Sequence, residues 1–146
     1  MRAQRTLSLV LALLVLAACG GGGPRPSSVP GGAAPAVTVE RFLRLAEQKE
    51  YGEMGYLFGN REGSVMERHP ANEVEQRMYA IATVLEHRGF ALRQPQQIPG
   101  RPEAVQVTVQ LESRAGSRQV PFTVVRGPAD RWYIEIIDLE RITRWQ

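Results

Sequence analysis

The sequence predicts an α+β fold, and three observations predict it. Val74, Met78, Ile81 and Leu85 recur at offsets of 4, 7 and 11, the apolar stripe of a helix. From residue 105 the period becomes two. Val105, Val107, Val109 and Leu111 alternate with Gln106, Thr108, Gln110 and Glu112, the pattern of a half-buried strand. The helical signals precede the strand signals, as in helices laid on an antiparallel sheet.

Each element has its own signal. Thr38 can cap a first helix running to residue 50, since its hydroxyl can accept from an orphan N–H. Phe42, Leu45, Ala46 and Lys49 share its face, with Leu43 beside them. Tyr51, Met54, Tyr56, Leu57 and Phe58 predict a short second helix, which Gly59 and Asn60 end. A polar loop over 61–70 follows, with Ser64 an ordinary loop serine. Asn72, with Glu75 three residues on, predicts a capping box at the start of the clearest helix. Gly89 stands where a C′ glycine would stop it.

Residues 90–98 predict a first strand, weakened by Pro95, before the alternating strand of 105–112. Residues 113–117, with Gly116, read as a hairpin connection. Val120, Phe122 and Val124 make the next strand, in which Pro121 argues for an edge or a bulge. After a turn over 126–130 comes a strand at 132–138, apolar on both faces. That pattern predicts a bent central strand, partly covered on its second side.

The first 19 residues carry an address. Arg2 and Arg5 form a basic head, and residues 6–18 are an uncharged run of 13, short of the roughly 20 that span a bilayer. The run ends in Leu16-Ala17-Ala18-Cys19, and Cys19 is the sole cysteine. Head, run and ending resemble the signal peptide and lipobox of a bacterial lipoprotein. The resemblance implies cleavage between Ala18 and Cys19, a diacylglycerol on the Cys19 thiol and an acyl chain on the new amine. Two or more chains anchor stably where one is marginal. Gly20, in place of Asp, implies by the same resemblance an outer-membrane location facing the periplasm, if the host has two membranes.

Loss of the leader changes the charge balance. Removing Arg2 and Arg5 from the 18 basic residues leaves sixteen against 15 acidic ones. That near-neutrality gives no ground for a nucleic-acid partner or a polybasic membrane patch. With Cys19 lipidated no disulfide is available, so the domain relies on its core. Residues 20–36 hold ten Gly or Pro among 17 and read as a tether spanning about 20–25 Å. The organisation expected is a signal at 1–18, a lipidated tether at 19–36 and one domain at 37–146.

Element order, with Arg131-Trp132-Tyr133-Ile134 in the last strand, resembles the NTF2-like (cystatin-like) family. The fold implied is a cone of N-terminal helices on a curved antiparallel meander of about four strands. Relatives of that class include isomerases and dehydratases as well as proteins that only bind. A cone lined by Phe42, Tyr56, Met78, Val107 and Trp132 would take a small apolar ligand. An isomerase-like site needs a carboxylate base and a tyrosine donor. Tyr51, Tyr56, Tyr133, Glu135 and Asp138 are the available groups, but alternation places Glu135 on a solvated face and Asp138 at a strand end.

His69 and His87 lack metal-ligand spacing, and His87 suits a helix C-terminus as a cation. No cofactor or metal is implied. Trp145 either folds back onto the sheet or offers an aromatic anchor to an envelope partner. The reading favours a binding or scaffolding module over an enzyme. Its partners would be the membrane, through the lipid, and an envelope protein.

Overall fold

Helix α1 spans Pro35–Gln48, and Pro35 at its first turn supplies a preset φ. The computed structural model describes residues 29–143. Ala18, Cys19, the signal segment, the upstream part of the tether and Trp145 lie outside them. Because Pro35 opens the helix a turn early, Thr38 is not its cap. Thr38 is buried inside α1, and its hydroxyl donates to the Ala34 carbonyl at 2.7 Å. Lys49 ends the helix in the left-handed region, at φ 61°. The Glu50 N–H reaches back to the Leu45 carbonyl at 2.9 Å, closing the end by a Schellman-type bond.

Helix α2, Tyr51–Leu57, follows at once. The predicted polar loop holds more structure than its composition suggests. Strands β1 (Gly59–Asn60) and β2 (Gly63–Ser64) pair antiparallel, and a 3-10 turn covers Val65–Glu67. Ser64 is fully buried there. Its hydroxyl and its backbone N–H both donate to Glu67 Oε2, at 2.8 and 3.2 Å, in a capping box. Helix α3 runs Ala71–Val84 from Pro70, with no side-chain cap, so Asn72 does not serve as one. Gly55 lets α2 lie against α3, since a Cβ on it would sit 2.5 Å from Val74 Cγ1.

The sheet takes over before Gly89 can end a helix. Leu85 already closes α3, the Arg88 N–H donates to the Glu112 carbonyl at 2.7 Å, and Gly89 starts β3 (Gly89–Leu92). The predicted strand at 90–98 is two pieces, β3 and β4 (Gln96–Ile98), both antiparallel to β5 (Arg101–Ser113). Pro95 lies in the break, where it lacks an N–H to donate. β6 (Gly116–Arg126) and β7 (Trp132–Ile137) complete the order β3-β5-β6-β7, and a short α4 covers Glu140–Thr143. The fold is α+β, with three main helices packed on an antiparallel sheet.

Two expectations for the strands need correction. β6 is an interior strand, and Pro121 sits within it opposite Thr108. The Pro121 carbonyl accepts from the Asp138 N–H just past the end of β7, so the missing N–H faces that same side, where β7 has finished. β7 is the terminal strand of the order, not a central one. Its two apolar faces have separate destinations. Trp132 and Ile134 join the main core, while Tyr133 packs with Ala104 and Val125 on the opposite face. A bulge at Glu135 then turns Ile137 toward the core and leaves Ile136 exposed.

The free edge of β7 is closed by the end of the predicted tether. Gly32 and Trp132 exchange backbone hydrogen bonds at 2.8 and 2.9 Å, and the Gly31 N–H donates to the Tyr56 carbonyl at 2.8 Å. Arg131 adds bonds to the carbonyls of Pro30 and Gly31, at 3.2 and 2.6 Å. The folded unit therefore begins upstream of residue 37. Its core lies between the helices and one sheet face, where the Phe42 and Phe122 rings meet edge to face at 6.5 Å.

Candidate functional site

The residues expected to line an apolar cone are mostly spent in the core. Phe42, Met78 and Val107 are fully buried, and Trp132 is nearly so. Tyr56 is half-buried, with its carbonyl taken by Gly31. None of these five lines either of the two cavities described here.

The carboxylates weighed for acid–base work are paired with arginines. Glu135 Oε2 lies 2.9 Å from Arg101 Nη1, and that contact holds Arg101 more firmly protonated than usual. Arg101 also approaches Glu103 at 3.4 Å. Asp138 Oδ2 accepts from Arg141 Nε at 3.0 Å. Burial pushes the Tyr133 phenol up, and Glu67 adds to the effect.

A half-open cleft of about 450 Å³ forms elsewhere, where the last turn of α1 and the start of α2 face the end of α3. The chain reversal at Lys49 brings Glu47, Lys49 and Tyr51 to one wall. Tyr79, Glu86 and His87 come from α3 and the residues after it. The rings of Tyr51 and Tyr79 meet edge to face, 5.4 Å apart at 84°. A second cavity of similar volume lies by Pro121, Thr123 and Ile136, beside the start of α4.

His87 is the least expected member of the cleft. It is not a solvated side chain at a helix end, because only 2% of it is exposed. Nδ1 lies 2.7 Å from the Leu85 carbonyl. Nε2 lies 3.1 Å from Glu47 Oε1, an electrostatic contact without an aligned hydrogen bond, so it has no hydrogen-bond partner. The ring also meets Phe90 edge to face at 5.4 Å, and the Arg44 guanidinium lies over the Phe90 ring, 5.5 Å from its centroid. His69 stands apart in an exposed loop.

Glu47, Glu86 and Tyr79 belong to no motif that would mark them in the sequence as members of one cleft. Tyr51 and His87 are visible as residue types, but their arrival at one cleft depends on the packing of α1 and α2 against α3. Among the described residues no group of three or more His, Cys, Asp or Glu could hold a metal ion. None of their helices is long and apolar enough to cross a membrane. No family model matches the chain, and no curated protein or solved structure matches it.

Proposed function

We propose that the chain is a lipid-anchored cell-envelope protein whose NTF2-like domain binds a partner molecule without transforming it. The leader supports the anchor: a basic head, a short apolar run and Leu16-Ala17-Ala18-Cys19. Gly20 favours the outer membrane, facing the periplasm, in a two-membrane host. Element order supports the family reading, with helices followed by an antiparallel sheet.

The observation that carries the binding reading is the cleft between α1 and α3. It has an aromatic wall, a few polar groups and the volume of a small-molecule site. The groups weighed for proton transfer, Glu135 and Asp138, are instead held by Arg101 and Arg141. Trp145 is kept as a candidate contact with an envelope protein.

Native mass spectrometry of the chain extracted gently from membranes tests both parts. The expected spectrum shows a diacylglycerol-modified Cys19 and a bound molecule. Cys19→Ser should release a folded domain from the membrane fraction. Continued membrane attachment of that variant after signal cleavage would overturn the anchor. A chain that never carries a bound molecule or polypeptide would overturn the binding role.

A further inference from the structure

We infer that the cleft between α1 and α3 binds a small organic monoammonium ion, whose N–H groups are taken by Glu47 and His87. The inference rests on reading the domain as a binding module. A carbonyl oxygen can only accept, so the 2.7 Å contact with Leu85 puts a hydrogen on Nδ1 of His87. In the neutral form of that tautomer the ring presents a lone pair at Nε2. That atom is buried, has no hydrogen-bond partner and faces a carboxylate oxygen at 3.1 Å.

In that form two acceptors lie this close, and a donor that bears positive charge can bridge them. An ammonium group has three N–H donors. With a small shift of the partly exposed Glu47 side chain, one reaches Nε2, one reaches Glu47, and the third is left for Glu86 or water.

The rest of the cleft suits the organic arm. Ala46 and Ala82 supply apolar surface, and Tyr51 and Tyr79 supply ring edges and faces for a cation. A carboxylate ligand would meet Glu47 and Glu86. A bare metal ion would find too few protein ligands among the described residues. Lys49 stands at the same cleft and opposes a second positive charge, which favours a monoamine over a polyamine.

The test uses the full chain in detergent micelles, labelled with nitrogen-15, at mildly alkaline pH. Only two histidines are present, so His69 is an internal control. Phenethylammonium chloride should shift the His87 imidazole resonances saturably and leave His69 unmoved. Glu47→Gln should weaken that binding about tenfold, the loss of one charge-assisted hydrogen bond. Lys49→Met, at an exposed position, should strengthen it about threefold by removing a like charge.

An unmoved His87 overturns the proposal. So does equal binding of phenethyl alcohol, which has the same shape without the charge, or a shift with zinc chloride and none with the amine. If native spectra show some other bound molecule while His87 ignores the amine, the amine is overturned and the binding reading stands. If the membrane-extracted chain is always empty and His87 ignores the amine, both fall.

Discussion

Arg131 Nη2 donates a hydrogen bond of 2.6 Å to the Gly31 carbonyl, although a hundred residues of chain separate the two. Together with the paired backbone bonds between Gly32 and Trp132, it closes the outer edge of β7. An unpaired edge is a template for other strands. Here a glycine-rich segment covers it with its backbone alone.

Gly31→Ala should therefore cost about 2–4 kcal/mol, from left-handed backbone strain and steric conflict together. Gly31 has φ 70°, and a Cβ there would sit 2.8 Å from Arg131 Cβ and 2.9 Å from Tyr133 Cζ. Urea denaturation reads the change. A midpoint equal to the parent's would show that the strap is not held as described.

Alkaline pH should destabilise the fold through Tyr133. Its folded pKa lies above the unfolded value of about 10, so its contribution is fully present below that pH. The contribution is lost as pH rises toward the folded value, because only the unfolded phenol ionises in that window. Tyr133→Phe should flatten this part of the stability curve, measured by urea midpoints on both sides of pH 10. An unchanged slope would remove Tyr133 as its source.

On the acid side Glu103 should act in the opposite sense. Its own backbone N–H, and then Arg101, hold its carboxyl below the usual range. The stabilisation is present above the ordinary carboxylate pKa and disappears as pH falls through the folded value. The group is partly exposed, so the effect should be small and should shrink in high salt. Comparing Glu103→Gln with the parent in low and high salt tests this, and a salt-independent difference would contradict it.

Phe122→Ala should cost about 3–5 kcal/mol, the usual range for emptying a buried aromatic site. Phe122 is fully buried and meets Phe42 edge to face. Ile136→Ala, at a side chain left 53% exposed, should stay within about 0.5 kcal/mol. Thermal unfolding of the two variants gives the contrast directly.

Lys49→Gly should stabilise the domain by about 1 kcal/mol, since glycine adopts φ 61° without the Cβ penalty. The same change removes the positive charge at the cleft. A loss of stability in chemical denaturation would mean that the Lys49 side chain contributes more to the fold than its strain costs.

Side-chain pattern made much of this fold readable, and backbone bonding hid the rest. The alternation from Val105 to Glu112 and the stripe from Val74 to Leu85 are set by which face is buried, so they appear in the residue order. Pro30, Gly31 and Gly32 have no such signature, and their bonds with Trp132 and Arg131 run through main-chain atoms. The β1–β2 hairpin is equally silent, because Gly59, Asn60, Gly63 and Ser64 read as loop.

Alternation with Ile134 and Ile136 puts Glu135 on a solvated face. It sits at a bulge against Arg101, a register shift that alternation alone does not show. For the cleft, His87 and Tyr51 could be noticed singly. The orphaned Nε2 needs the Leu85 carbonyl and Glu47 of another helix in place at once.

The strap also sets where a mechanical load enters the molecule. Any tension on the chain upstream of Val29 reaches the bonds with Arg131 and Trp132 before it reaches Pro35. The last strand of the sheet, rather than the first helix, would bear that pull, and α1 would be shielded until those bonds broke.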